Sequence, residues 1–175
     1  GALVAVLDRD IDAANATVAQ LERPDDHIAV LVDVSDSASV DAAINAVLAR
    51  YGRIDVLCNN AGINRDSMIH KMSIEQWDQV IAVNLTGTFY MTQAAVKHMR
   101  ERDSGRIINI SSAAATKPVT AAPVYSMAKA AINMANDKKF VGVGINNWGI
   151  KINPPFTYAE YREELNYDED FNDGL

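Results

Sequence analysis

Cysteine is almost absent from this sequence, since Cys58 is the single cysteine among 175 residues. One thiol forms no internal disulfide, so the sequence predicts a protein of a reducing compartment, cytoplasmic in location. Long apolar runs are also missing, and none approaches the roughly 18 residues that a membrane-spanning helix needs. Five prolines and nine glycines are too few for a collagen-like or low-complexity chain. These absences exclude an integral membrane protein and a fibrous one.

Positive charge is scarce as well, because 16 basic residues stand against 23 acidic ones and the net charge is −7. Residues 158–175 contain seven of the acids and one arginine, whereas residues 1–157 are nearly balanced, with 16 acids and 15 bases. A nearly neutral body offers no basic patch to a phosphate backbone, so we expect no nucleic-acid partner. We interpret 1–157 as one domain, undivided by linkers or repeats. The acidic tail 158–175 is then either a solvated segment or the remnant of a lid.

Metal-ligand spacing is not found among the three histidines and the cysteine. His27, His70 and His98 are far apart from one another and from Cys58, so the sequence predicts no metal site. Cys58 itself lies within a predicted strand, where we expect a buried, small apolar residue rather than a nucleophile.

Strand and helix patterns alternate along the chain. Short apolar runs that end in polar residues predict strands near 3–7, 27–33, 54–58, 106–110 and 149–153. Helical spacing of apolar residues predicts helices near 11–21, 37–51, 73–100 and 125–135, the third of which opens with the capping box Ser73-Ile-Glu-Gln76. This alternation predicts an α/β fold, in which a doubly wound, Rossmann-like parallel sheet lies between two helical layers. Ligands of such sheets bind outside the carboxyl ends of the strands.

Polar residues follow the predicted strands at that edge. A carboxylate such as Asp8, at the end of the first strand, accepts hydrogen bonds from ribose hydroxyls and repels a 2′-phosphate, although an aspartate there equally suits a turn. Asn60-Ala61-Gly62 follow the third strand. The small Ala-Gly pair lets a flat ligand approach the backbone, and an ordinary asparagine-rich turn is the alternative interpretation.

A serine, a tyrosine and a lysine follow in the next unit. Ser112 closes the fourth predicted strand, and Tyr125-Ser-Met-Ala-Lys129 opens the next helix, with its ends on one helix face. An ammonium beside a phenol stabilises the phenolate, which makes tyrosine a usable general acid or base. A nearby serine hydroxyl could hold a substrate oxygen. Taken alone, the Tyr-x-x-x-Lys spacing occurs on many helices and has little weight.

The ordered set resembles the short-chain dehydrogenase/reductase family over residues 1–134. The set also includes Asp33-Val34 after the second strand and Asn84-Leu-Thr-Gly87 within the long helix. Within that family, Gly62-Ile-Asn-Arg-Asp66 is most similar to β-ketoacyl and acetoacetyl thioester reductases. Related sugar and secondary-alcohol dehydrogenases share parts of the segment.

The resemblance implies an enzyme that transfers hydride between NAD(H) and a small-molecule secondary alcohol or its ketone, with a 3-oxoacyl thioester as a candidate substrate. It implies that Tyr125 is the catalytic acid/base and that Lys129 stabilises the phenolate and holds the nicotinamide ribose. Ser112 would orient the substrate better than Ser111 would. Asn84 would kink the long helix and hold a water molecule of a proton relay.

The resemblance also implies a set of cofactor-binding residues. Asp8 would bind the adenosine ribose and favour NAD over NADP, while Asp33 and Val34 would flank the adenine. The adenosine side would be completed by Asn60, Ala61 and Gly62.

The sequence departs from the family pattern at both ends. None of its nine glycines forms the phosphate-binding glycine-rich turn, so we interpret the fold as truncated at the N-terminus. Beyond Met134, glycines and asparagines interrupt the expected helix, and Asn153-Pro-Pro-Phe156 replaces the expected Pro-Gly turn. A catalytically silent binding or assembly module without a phosphate loop is therefore an alternative, although the Ser112, Tyr125 and Lys129 set opposes it. A sugar-modifying enzyme of the extended branch is a third, opposed by the short chain.

Two helices have faces rich in alanine and methionine. The resemblance implies that such helices pair with those of a neighbouring copy, so we expect a homo-oligomer, a tetramer, through isologous contacts. The residues on these faces are Met91, Ala94, Ala95, Ala128, Ala131 and Met134.

Overall fold

Strands and helices alternate in the computed structural model, which describes residues 1–135, 143–146 and 149–150. The strands are β1 Ala5–Asp8, β2 Ile28–Leu31, β3 Val56–Asn59, β4 Arg106–Ile110, β5 Val143–Asn146 and β6 Gly149–Ile150. The helices are α1 Ile11–Val18, α2 Ser37–Tyr51, α3 Ile74–Ile81, α4 Gly87–Glu101 and α5 Pro123–Ala135. The domain boundary at residue 157, the acidic tail 158–175 and the turn at 153–156 lie outside the described residues.

Parallel pairing dominates the sheet, as predicted. β1 pairs in parallel with β2, and β4 pairs in parallel with both β3 and β5. The α/β fold class is confirmed, but the described strands form two sheets, β1-β2 and β3-β4-β5-β6, rather than one. No backbone hydrogen bonds join β1 or β2 to β3 in the described part of the chain, so the strands form two hydrogen-bonded sets.

The last strands differ from the sequence prediction. The strand expected near 149–153 is preceded by Val143–Asn146, which supplies the parallel partner of β4, and Gly149–Ile150 pairs antiparallel with β5. Two residues separate β5 from β6. So short a connection permits only antiparallel pairing, since a parallel crossover needs a dozen residues or more.

One hydrophobic core extends across both sheets. α2 and α4 pack against each other, α2 against β2, and α4 against β3. Val40 and Ile44 of α2 and Met91 of α4 are buried there together with Leu57 and Ile107 of the strands. Full burial of a side chain of this size contributes about 1.5–3 kcal/mol. This core holds both sheets against the same helical layer.

Four of the six residues that were predicted to contact a neighbouring copy do not lie on an exposed face. Met91, Ala94, Ala95 and Ala128 are buried within the chain itself, which leaves almost none of their surface for a neighbouring copy. Their helical spacing reflects intramolecular packing, which a sequence pattern does not distinguish from an interface. The large apolar side chains that α4 and α5 expose are Phe89 at 55%, Met127 at 46% and Met134 at 70%.

Cys58 is exposed, contrary to the expectation of a buried residue. Side chains alternate along a strand, and β3 directs Leu57 and Asn59 to the buried side and Val56 and Cys58 to the exposed side. Partial burial still raises the pKa of the Cys58 thiol.

A histidine anchors the start of β1. Nδ1 of His27 accepts the Val4 N–H at 3.1 Å, and Nε2 lies 2.9 Å from the carbonyl oxygen of Glu22. Because the Val4 amide can only donate, the ring is the tautomer whose Nε2 carries the proton and donates to Glu22. His27 therefore has a structural role that ties β1 to the segment after α1.

Helix ends follow the predicted signals. Gly52 ends α2 with φ of 72° and donates its N–H to Leu48. Ser73 opens α3 with the predicted capping box, in which Ser73 and Gln76 each bind the other's backbone N–H.

Candidate active site

Helix α5 presents Tyr125 and Lys129 one turn apart. Nζ of Lys129 lies 5.7 Å from the centroid of the Tyr125 ring. The same ammonium donates a 2.7 Å hydrogen bond to the carbonyl oxygen of Ile110, the last residue of β4. Lys129 is buried and Tyr125 is half-buried. Burial lowers the pKa of the Lys129 ammonium, which makes its proton easier to release.

Two adjacent serines after β4 have different environments. Ser111 is buried and donates from Oγ to the backbone carbonyl of Lys129 at 3.1 Å. Ser112 is half-buried and caps a short 3₁₀ turn, Ala113–Ala115, that packs against α5. Its Oγ accepts the Ala114 N–H at 3.2 Å and retains its own proton for donation. The link from Ser111 to Lys129 was not predicted, because a sequence does not show which strand-end hydroxyl faces a helix backbone.

Asn84 lies in a π-helical turn, Ala82–Thr86, between α3 and α4. The long predicted helix is thus interrupted where the motif residue occurs, and the Gly87 N–H reaches back five residues to the Ala82 carbonyl. Nδ2 of Asn84 donates to the carbonyls of Val80, at 2.9 Å, and Ile63, at 2.8 Å. Single π-helical turns inside α-helices are frequent at functional sites.

The oxygen of the Asn84 amide is unpartnered among the described residues and lies close to Gly62. Its side chain is 0% exposed, and Oδ1 has no hydrogen-bond partner within the described part of the chain. A β-carbon placed on Gly62 would lie 2.7 Å from this oxygen and 3.6 Å from Nζ of Lys129. The structure therefore brings Gly62, Asn84 and Lys129 around one point, with Tyr125 beside it.

Asp33 and Val34 follow β2 on the other sheet. Oδ1 of Asp33 accepts hydrogen bonds from the Ser35 hydroxyl at 2.6 Å and from the Ser35 N–H at 2.9 Å. These bonds, with the nearby charge of Arg9, lower the pKa of the Asp33 carboxyl. A β-carbon on Gly87 would lie 2.8 Å from Cγ2 of Val34, so this loop packs closely against the start of α4. Gly87 belongs to the Asn84-Leu-Thr-Gly87 motif, but the motif did not reveal this contact.

The remaining predicted cofactor residues are exposed. Asp8 ends β1, and its Oδ1 accepts the Asp10 N–H at 2.9 Å, which leaves the second carboxylate oxygen turned to solvent. Asn60 and Ala61 are exposed directly after β3. The predicted residues therefore fall into two groups, one at the ends of β1 and β2 and one around Lys129.

A buried polar network supports the second group. Nδ2 of Asn59 donates to Oδ1 of Asn109 at 2.8 Å and to Oγ1 of Thr92 at 3.0 Å. The two asparagines are opposite each other in the register of β3 and β4, and Thr92 lies on α4. This network joins β3 and β4 to α4 at the ends of the strands, directly before the loops that contain Gly62 and Ser112. Its only signal in the sequence is the presence of polar residues in otherwise apolar strands.

The described ranges contain no candidate metal site and no candidate membrane span. No group of three or more metal-ligating side chains comes together there. No helix in those ranges is long and apolar enough to cross a bilayer.

Known proteins match this arrangement. The family described as short chain dehydrogenase matches residues 1–169. D-threitol dehydrogenase of Mycolicibacterium smegmatis is 37% identical over 154 residues, which cover 87% of this chain and 58% of that protein. The 3-oxoacyl-[acyl-carrier-protein] reductase of Synechocystis is 39% identical over 158 residues, covering 88% of this chain and 63% of the relative. The chain thus spans about three fifths of the length of these relatives.

A solved structure of a reductase is also similar to this chain. The crystal structure of 3-ketoacyl-(acyl-carrier-protein) reductase from Brucella melitensis complexed with NADH superimposes with a TM-score of 0.74 at 30% identity, covering 78% of this chain and 57% of that one. The chain belongs to the short-chain dehydrogenase family. The resemblance inferred from the sequence is confirmed, including its similarity to the ketoacyl reductase branch.

Proposed function

We propose that the protein is an oxidoreductase that transfers hydride between NAD(H) and a secondary alcohol or its ketone. The observation that carries the proposal is the cluster of Lys129, Tyr125 and Asn84, held by β4, α5 and the π-helical turn. The buried ammonium stands against the phenol ring and next to the unpartnered oxygen of Asn84.

The described residues fit a dinucleotide at its two nucleoside ends. The exposed carboxylate of Asp8 suits ribose hydroxyls, and Asp33 and Val34 supply walls for the adenine. Asn60, Ala61 and Gly62 offer an exposed backbone at the end of β3. The bound nicotinamide would supply or accept the hydride at the substrate carbon. We assign no residue of this chain to the pyrophosphate.

Proton transfer belongs to Tyr125 in this proposal. In the reducing direction its hydroxyl donates a proton to the carbonyl oxygen, and in the oxidising direction its phenolate removes the alcohol proton. The ammonium of Lys129 stabilises that phenolate and holds the nicotinamide ribose. Asn84 holds the relay water that exchanges protons with Lys129. Ser112 donates to the substrate oxygen and aligns it with the tyrosine.

A 3-oxoacyl thioester is the substrate class that we favour. The loop after Gly62 is joined to the loop before α5, because the Ser67 N–H donates to the Ala121 carbonyl at 2.7 Å. Ala121 precedes Tyr125 by four residues, and Met68, which follows Ser67, is 41% exposed. The Met68 side chain offers an apolar contact to an acyl chain. The Synechocystis relative named as a 3-oxoacyl reductase supports this class. The threitol dehydrogenase supports small polyols as the competing class.

The test is a Tyr125→Phe substitution in the intact protein, assayed with NADH against acetoacetyl thioesters and with NAD⁺ against threitol. The phenyl ring preserves packing, so circular dichroism and Tm should remain close to those of the wild type. We expect kcat to fall by about 10²–10⁴-fold, as for loss of a positioned proton donor.

Tyr90→Phe is the matched control, because Tyr90 lies on α4 against the core and outside the site. It should retain the wild-type kcat. A Tyr125→Phe protein with wild-type turnover would refute the role of the tyrosine. A folded wild-type protein that binds NADH but turns over no carbonyl compound would support the catalytically silent alternative instead.

A further inference from the structure

Ser126 follows Tyr125 on α5 and occupies an unspecified position of the Tyr-x-x-x-Lys spacing. The residue is buried. Its Oγ donates a 3.0 Å hydrogen bond to the carbonyl oxygen of Ala122, four residues back, and accepts the N–H of Val119 at 3.3 Å. Serines inside helices commonly make the first of these bonds. The second bond is different, because it fastens a loop outside the helix to the residue beside the tyrosine.

The hydroxyl of Ser126 has a fixed orientation. A serine hydroxyl has one proton, and the carbonyl of Ala122 accepts it, so a lone pair of Oγ is left for the N–H of Val119. The turn 119–122 is closed by a further bond, since the Ala122 N–H donates to the carbonyl of Val119 at 2.9 Å. One side chain therefore binds this turn at both of its ends.

The turn 119–122 also holds the loop that contains Met68. The Ser67 N–H donates to the carbonyl of Ala121 at 2.7 Å. Each of the two joined loops has an exposed apolar side chain next to its hydrogen bond, since Val119 is 50% exposed and Met68 follows Ser67. The positions of both apolar side chains thus depend, directly or through Ala121, on the hydroxyl of α5.

We propose that Ser126 is a positioning residue for the acyl part of the substrate, which it fixes relative to Tyr125 through the turn 119–122. The inference rests on the proposed function and deepens it, since it names a residue that determines the acceptance of longer 3-oxoacyl chains. Ser126 contacts neither substrate nor cofactor in this role. Its effect should grow with the length of the acyl chain, because only a chain that reaches Val119 and Met68 depends on where they lie.

The kinetic test uses two thioesters of different length. In the intact protein with NADH, Ser126→Ala should raise KM for a 3-oxooctanoyl thioester roughly three- to tenfold, the scale of one lost hydrogen bond. KM for the acetoacetyl thioester, kcat for both thioesters and Kd for NADH should stay within about twofold, since only binding of the longer chain is weakened. A general loss of packing would instead affect the two thioesters alike.

Two further variants connect the effect to the turn. Val119→Ala removes the apolar side chain itself, so it should reproduce the dependence on chain length, and adding Ser126→Ala should then raise KM little further. Thr17→Val is the matched control. Thr17 makes the same kind of bond to the carbonyl of Ala13, four residues back, but on α1. It should leave both KM values unchanged.

A second readout needs no turnover. Because the N–H of Val119 is hydrogen-bonded to Ser126, its exchange with solvent deuterium should be slow in the wild type and faster in Ser126→Ala. The N–H of Lys129, in the same helix, should exchange at the same rate in both proteins, which excludes unfolding of α5. Amide-resolved NMR measures both rates.

Each failure has its own signature. Equal increases in KM for the short and the long thioester overturn the inference, because Ser126 would then support packing alone. Unchanged exchange at Val119 also overturns it, since the bond to the turn is then absent. A wild-type protein that oxidises threitol and reduces neither thioester overturns the inference and leaves the oxidoreductase function in place. A wild-type protein that binds NADH and turns over no substrate refutes the proposed function itself.

Discussion

The ammonium of Lys129 is hydrogen-bonded at 2.7 Å to the carbonyl oxygen of Ile110. The residue after the strand, Ser111, donates a hydrogen bond from its hydroxyl to the backbone carbonyl of the same lysine. The end of β4 therefore holds Lys129 at its backbone and at its side-chain tip. This double attachment explains how a long, rotamer-rich side chain is kept beside the tyrosine, since immobilising a lysine costs up to about 2 kcal/mol of side-chain entropy.

The two serines after β4 should respond differently to alanine. Ser111→Ala removes a buried hydrogen bond and should lower the free energy of unfolding by about 1 kcal/mol, with a small effect on kcat. Ser112→Ala removes the donor that we assign to the substrate oxygen and should lower kcat by about 10²-fold. It also removes the cap of the 3₁₀ turn, at a cost of about 1 kcal/mol or less, so kcat is the quantity that distinguishes the two serines. Denaturant unfolding and initial rates on the same preparations measure both. The reverse pattern would show that Ser111 is the substrate-orienting serine.

Asp8 should set the choice of cofactor. Its exposed carboxylate repels a 2′-phosphate, so we expect at least about a tenfold preference for NADH over NADPH in kcat/KM. Asp8→Ser should reduce that preference, because it removes the charge that repels the 2′-phosphate. Initial rates with the two cofactors, measured side by side, check this.

Asp10→Ser is the control for that substitution. It removes the same charge two residues away and keeps an oxygen for the cap of α1, where Asp10 accepts the N–H groups of Asp12 and Ala13. It should leave the preference unchanged. A wild-type preference for NADPH would contradict the assignment of Asp8.

The pKa of the Asp33 carboxyl should depend on its hydrogen bonds with Ser35. Its pKa is lowered in the folded protein, first by the hydroxyl of Ser35. A carboxyl whose pKa is lower in the folded than in the unfolded protein stabilises the fold at pH values above its unfolded pKa, which is about 3.9. This contribution disappears as the pH falls through the folded pKa. Ser35→Ala should raise the Asp33 pKa toward the unfolded value, whereas Ser35→Thr should not.

Carboxyl-detected NMR titration measures that change directly. The stability difference between the wild type and Ser35→Ala should be constant above about pH 5 and should narrow in more acidic solution. An Asp33 pKa that is the same in both proteins would show that the backbone N–H of Ser35, rather than its hydroxyl, controls the carboxyl.

Local signals predicted much of the fold. Alternating apolar runs predicted β1 to β4, and Gly52 and the Ser73 capping box predicted two helix ends, because these depend on residues close in the chain. β5 was missed, since two glycines within and before Val143–Asn146 weaken a strand pattern. The exposure of Cys58 was missed because a strand sequence does not show which of its faces is covered.

The site was predicted residue by residue but not in its contacts. Asn84, Tyr125 and Lys129 were chosen from their motif positions, and the structure brings all three together. The bonds of Asn84 to Ile63 and of Lys129 to Ile110 use backbone carbonyls, which every residue has and no motif marks. The close approaches at Gly62 and Gly87 likewise depend on the packing of loops against the π-helical turn.

The assembly prediction now depends on a smaller set of side chains. We propose a homotetramer, and its contacts should use the exposed apolar residues Phe89 of α4 and Met127 and Met134 of α5, because four of the six predicted interface residues are in the core. Charging such a residue at an interface removes apolar burial and places an unpaired charge there. Phe89→Asp should therefore convert the assembly to smaller species at micromolar concentration, as measured by light scattering.

Ile74→Asp provides the matched control for that experiment. Ile74 is 71% exposed on α3, so the substitution adds the same charge to an apolar surface position outside α4 and α5. It should leave the molar mass unchanged. A wild-type protein that scatters as a monomer would refute the assembly prediction. If Ile74→Asp disrupts the tetramer and Phe89→Asp does not, the interface lies on α3 rather than on α4. The apolar residues of α4 and α5 would then contribute to the core of the single chain and not to assembly.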